Sequence, residues 1–118
     1  MKALEEKILK EGQVLPGNVL KVGSFLNQKV DAVFLKEMAK ETANLFAGEK
    51  ITKILTVEAS GIAFATAVAM ELSVPMVFAK KHPSANVSGE QYSADVYSYT
   101  HKTTYNVAVT KDYLSSCD

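Results

Sequence analysis

Two short runs of the 118-residue chain carry the residue types that could do chemistry. The first is Glu58, Ala59, Ser60 and Gly61, set between a β-branched run at 51–57 and a strongly apolar run at 62–72. A strand followed by a helix places this turn at the carboxyl end of the strand, where open parallel sheets bind ligands. Free N–H groups at a helix start attract phosphate. Ser60 adds a hydroxyl, and Gly61 lets a ligand approach the backbone. The same residues also suit an ordinary strand-to-helix turn with Ser60 as its N-cap, and spacing leaves both readings open. The second run is Lys80, Lys81 and His82, directly after the apolar run 74–79 and so at the same sheet edge. Two ammonium groups there suit a polyanionic ligand, although a solvated loop is equally compatible. His82 alone has no metal-ligating partners in the sequence. Neither G-x-x-x-x-G-K-[ST] nor G-x-G-x-x-G occurs, so P-loop and Rossmann readings find no support.

Two weaker constellations accompany these. Leu20, Phe25, Leu26 and Asn27 put apolar side chains beside an amide, a combination that could hold a flat heterocycle or simply pack locally. Asn offers both a donor and an acceptor to base edges. Tyr92, Tyr97, Tyr99 and Tyr105 cluster in the last third, where aromatics more often serve packing than a cofactor.

The elements that must position these residues follow from periodicity. Residues 2–11 read as a short helix with Leu4 and Ile8 on one face, stopped at Gly12. Pro16, Gly17 and Asn18 mark a turn, and residues 19–22 an extended stretch. Residues 23–28 read as a loop. Asp31 is placed to N-cap a helix carrying Phe34, Met38, Thr42, Leu45 and Phe46, ended by Gly48. Residues 51–57 read as a buried strand, about 62–72 as a helix apolar on nearly all sides and so largely buried, and 74–79 as a second buried strand. Strand, helix and strand make a βαβ unit with a parallel pair. A long polar loop follows. Residues 92–97 and 105–109 alternate as two strands of a hairpin about a turn at 100–103.

Composition narrows the classes. The length suits one domain, with residues 1–31 carrying the N-terminal helix and the turn and loop after it and 32–118 the rest of an α/β core. The hydrophobic fraction of 47% and charged fraction of 22% are globular values, not those of a disordered chain. Thirteen basic residues balance thirteen acidic ones, which argues against a nucleic-acid partner. A single cysteine, Cys117, excludes an intrachain disulfide and a Cys-rich zinc site. The first residues lack the apolar run of a signal peptide, and the longest uncharged run, 59–70, is too short for a membrane span. A cytoplasmic location without membrane association is the expectation.

Taken together, five segments resemble the type I purine phosphoribosyltransferases, and within them the xanthine-type enzymes. They are M-K-A-L-E-E-K-I at the start, V-L-K-V-G-S-F-L-N-Q-K-V-D at 19–31, I-T-K-I-L-T-V-E-A-S-G-I at 51–62, V-P-M-V-F-A-K-K-H at 74–82 and V-Y-S-Y-T at 96–100. The resemblance covers essentially the whole chain. It implies an α/β fold, a mainly parallel sheet flanked by helices, with a hairpin or flap.

The resemblance also implies an activity: transfer of the 5-phosphoribosyl group of phosphoribosyl pyrophosphate to N9 of xanthine, releasing pyrophosphate, in purine salvage. An oxocarbenium-like transition state would leave the protein to position the base and stabilise the leaving group. By matching position, Leu20 and Asn27 contact the purine, Glu58, Ala59, Ser60 and Gly61 bind pyrophosphate, and Lys81 reaches a pyrophosphate, often in a partner's site. Residues 82–92 match a mobile flap. Mg2+ would come with phosphoribosyl pyrophosphate rather than at a protein metal site, and a homodimer is implied. Ala59 stands where Ser is more usual, a small change in a loop that binds through its backbone. The family continues past the position of Asp118 into a strand with two acidic residues and a Gly/Ala-rich turn that grips the 5′-phosphate. The chain therefore reads as the N-terminal part of such an enzyme, with its sheet truncated at the C-terminus and little activity expected alone. A non-catalytic domain that senses phosphoribosyl pyrophosphate or a purine is the alternative.

Overall fold

The computed structural model describes residues 1–81, 89–99 and 101–118. Helix α1 (Lys2–Glu11) leads into a hairpin of β1 (Gln13–Leu15) and β2 (Val19–Lys21). Gln13 faces Lys21 and Leu15 faces Val19, with Gly17 and Asn18 taking positive φ in the connecting turn. The stretch expected as a plain loop is a π-helical turn over Gly23–Asn27. It is wound around Phe25, the largest fully buried side chain.

Helix α2 (Ala32–Leu45) begins where Asp31 predicts. The Asp31 carboxylate accepts the Phe34 N–H at 3.0 Å, satisfying one of the helix's unpaired first amides. Leu35, Met38 and Ala39 form its buried stripe, while Leu45 and Phe46 near its end stay exposed. The chain then passes Gly48, in the left-handed region, into β3 (Ile54–Val57). Helix α3 (Gly61–Leu72) returns it to β4 (Met76–Lys81). Strand β5 (Gln91–Ser98) and strand β6 (Thr103–Thr110) make the expected hairpin.

The main sheet runs β3-β4-β6-β5. Only β3 and β4 are parallel; β4 with β6 and β5 with β6 are antiparallel. The α/β class therefore stands, but the sheet is mixed rather than mainly parallel, because a hairpin, not a second crossover, supplies its other two strands. Ala79, Val107 and Val109 form its core cluster, with Val77, Tyr105 and Leu114 packed against them.

Burial is shallower than the apolar runs suggest. In α3 only Ala65, Val68 and Ala69 are buried, and Met70 is 75% exposed. Strands β3 and β4 bury one residue between them, Ala79. The cause is coverage: α3 packs against α2, β3 and β4, which leaves its remaining flank open. Alternation along β3 likewise turns Leu55 and Val57 outward. Among the described residues no helix is long and apolar enough to cross a membrane.

Candidate functional site

The turn at 58–61 sits at the carboxyl end of β3, beside the end of β4. Val57 is level with Ala79 in the parallel register. Glu58 carries the ladder one step further, donating its N–H to the Ala79 carbonyl at 3.0 Å. Its side chain reaches on, and Glu58 Oε1 accepts the backbone N–H of Lys81 in a short hydrogen bond. One residue thus ties together the ends of both parallel strands through main chain and side chain.

Past this brace the chain is open to solvent. The Glu58–Ala59 peptide is cis, and Ala59 and Ser60 are exposed. Ser60 occupies the N-cap position in a helical conformation and makes no side-chain capping bond. Capping therefore does not account for its hydroxyl, and the first amides of α3 have no side chain closing them off. Gly61 is required by contact: a Cβ there would lie 2.5 Å from Thr56 Oγ1. The helix starts this close to β3 only because the residue has no side chain.

Lys81, the last residue of β4, is half-buried, with its Nζ 5.1 Å from the Tyr105 ring centroid. Lys80 points elsewhere, toward a hollow shared with Gln91, Thr110 and Tyr113. His82 and most of the expected flap fall outside the described residues, and Gln91 and Tyr92 at its far end are already strand β5. The other tyrosines of the hairpin do not enter the core: Tyr92, Tyr97 and Tyr99 are all exposed, Tyr97 and Tyr99 meeting edge to face at 5.1 Å and Tyr92 lying under Lys111.

Leu20 and Asn27 come together at the other expected subsite. They line a hollow of about 440 Å3 with Glu11, Gln13, Lys21 and Gln28. Phe25, grouped with them by sequence, turns into the core instead and meets Phe34 edge to face at 6.2 Å. An aromatic of that size lowers its free energy more by full burial than at a polar rim.

Three structural links were not visible in the linear pattern. Lys7 joins α1 to Asp31, the Asp118 carboxylate joins residues 52–53, and Thr56 meets Gly61. Asp118 accepts from Ser115 N–H at 2.9 Å, Lys53 Nζ at 2.9 Å and Thr52 Oγ1 at 3.0 Å. These donors, the Ser115 amide foremost, hold its carboxyl down at about 2. Asp31 is also lowered, first by the Lys7 ammonium and then by the Phe34 amide, and Lys7 is raised in return by Asp31 and Glu11. Among the described residues no three of His, Cys, Asp or Glu come close enough to hold a metal ion.

No family model matches the chain. Individual relatives do, over all of its residues. It is 51% identical to the xanthine phosphoribosyltransferase of Limosilactobacillus reuteri and 52% identical to that of Lactobacillus johnsonii, spanning 62% of each. It is 51% identical to the protein of the same name from Lachnoclostridium phytofermentans, spanning 61%. Among solved structures it resembles the adenine phosphoribosyltransferase of Giardia lamblia complexed with 9-deazaadenine, with TM-score 0.73 and 19% identity over 94% of this chain and 61% of that one. It also resembles the adenine phosphoribosyltransferase of Rhodothermus marinus, with TM-score 0.68 and 14% identity over all of this chain and 66% of that one. At such identities the structures speak for the fold alone. The chain spans about three fifths of the length of the curated relatives it matches; over that span its sequence is about half identical to theirs, and its fold is that of the phosphoribosyltransferase structures.

Proposed function

We propose that this chain supplies the base-recognition and pyrophosphate-binding parts of an enzyme that transfers the 5-phosphoribosyl group of phosphoribosyl pyrophosphate to N9 of xanthine. The observation that carries this reading is the braced turn at 58–61. An uncapped helix start and a small exposed loop stand at the carboxyl end of a parallel pair, with the backbone of Lys81 held beside them by Glu58. Backbone amides there stabilise charge that develops on departing pyrophosphate, and the Lys81 ammonium, which rests over the Tyr105 ring, is the cation that would reach it. Leu20 covers a face of the base, and Asn27 donates to and accepts from its edge. The names of the whole-length relatives supply the substrate, xanthine. The same names favour catalysis over a sensing role.

The described carboxylates do not form a metal cage, and Glu58 is already engaged with Lys81. Mg2+ would arrive on phosphoribosyl pyrophosphate, held by phosphate oxygens and water. The proposal includes a homodimer, to be checked by light scattering.

The test is formation of xanthosine 5′-monophosphate from xanthine and phosphoribosyl pyrophosphate. It is run with the 118-residue chain and with the same chain continued by the segment through which the Limosilactobacillus reuteri relative exceeds it. Product from the continued chain that disappears when Glu58, Ser60 and Gly61 are together replaced by alanine is the expected result. A continued chain that folds and makes no product overturns the proposal.

A further inference from the structure

Lys7 lies outside the purine hollow and yet sits at the junction of everything that frames it. Its Nζ is 2.8 Å from Asp31 Oδ2 and 2.6 Å from Glu11 Oε2. It stands 5.3 Å from the Phe34 ring centroid and 5.8 Å from that of Phe25. Each of these neighbours leads to the hollow. Glu11 lines it directly. Phe25 anchors the π-helical turn that ends at Asn27. The Asp31 N–H donates to the Phe25 carbonyl at 2.9 Å, tying the other end of that turn to the start of α2. Ser24 Oγ donates to the Glu11 carbonyl at 3.4 Å, so the turn also touches the end of α1 directly.

We infer that Lys7 is a positioning residue for purine recognition, locking α1, the Gly23–Asn27 turn and the start of α2 together so that Asn27 faces Leu20 at a fixed separation. This deepens the proposed function and rests on its purine subsite. The physical reason is geometric. Asn27 sits on a short turn, and a short turn holds a hydrogen-bonding edge accurately only when both flanks are fixed. A single ammonium with two carboxylate partners and two ring faces fixes three segments at once. Glu11 gains as well, because its carboxylate is drawn toward Lys7.

The test uses Lys7→Met, which keeps the stem and removes the charge, on the 118-residue chain. Asp31→Asn is the second variant: its side-chain oxygen still caps α2, but it no longer pairs a charge with Lys7. Heteronuclear NMR without ligand is the first readout. The Asn27 side-chain amide and Leu20 methyl signals should shift and broaden in both variants, while Ser60 and Gly61 amides stay in place. Calorimetry is the second: the Kd for xanthine should rise about tenfold and the Kd for pyrophosphate should stay unchanged. Lys7→Arg should restore both. If Asn27 and Leu20 move no more than Ser60 and Gly61, or both ligands weaken equally, the positioning role is overturned. Asn27 signals that respond to Lys7→Met, together with a wild-type chain that binds no xanthine, leave the positioning geometry standing and overturn the purine reading instead.

Discussion

The side chain of Glu58 accepts the backbone N–H of Lys81, across the ends of two parallel strands and 23 residues of chain. This contact sets where the exposed turn and the Lys81 side chain stand relative to each other. Removing the acceptor leaves a half-buried amide unpaired, and hydrogen bonds to charged groups contribute about 1.5–3 kcal/mol. Glu58→Ala should weaken pyrophosphate binding by about tenfold, with Glu58→Gln in between because its amide oxygen still accepts. Titration calorimetry with pyrophosphate checks the order; equal affinity in all three proteins would dismiss the brace.

Gly61→Ala tests the close approach of α3 to β3. The added Cβ meets Thr56 Oγ1 at 2.5 Å, so one element must shift. Overpacking of this kind costs about 1–3 kcal/mol. Thermal unfolding should show the loss, and Thr56→Ala in the same chain should recover most of it by removing the struck atom. Recovery absent from the double variant would place the strain elsewhere.

Asn27→Ala should weaken xanthine binding by about tenfold, since two neutral hydrogen bonds of roughly 0.5–1.5 kcal/mol each are lost. Pyrophosphate affinity should not change, because Asn27 and Gly61 border different hollows. Binding curves for the two ligands, measured on one preparation, separate this from general damage.

Asp118 predicts a specific acid limb in stability. Its carboxyl titrates at about 2 in the folded chain against 3.8 when free. The unfolded chain therefore binds the proton first as pH falls. The contribution of Asp118 is complete above about pH 4 and disappears as pH falls toward 2. Asp118→Asn should be less stable than wild type at neutral pH, with the gap closing between pH 4 and 2. Urea midpoints across that range check it; a constant gap would assign the effect to packing.

Much of the element order was legible from the residues alone. Asp31, three positions before an amphipathic run, announces α2 because a carboxylate satisfies amides that the helix cannot. Alternation at 92–97 and 105–109 announces the hairpin because side chains of a strand point to opposite faces in turn. Burial was not legible in the same way. The uniformly apolar run in α3 reads as a helix enclosed on all sides, yet its coverage depends on how many neighbours reach it. Phe25 shows the same limit: beside Asn27 in sequence, it points into the core while Asn27 borders the hollow.

By itself the sequence determined the residue types at the two proposed subsites and the elements bearing them. Local chemistry suffices for that: caps, turns and periodic faces act over a few residues. Only the tertiary structure decided that Glu58 grips Lys81, that Lys7 joins Asp31 across 24 positions, and that Asp118 closes onto Lys53 from 65 residues away. Those pairings are long-range, and no local pattern encodes them. Each forms because packing of helices and strands brings a charged or polar group within hydrogen-bonding reach of one distant partner.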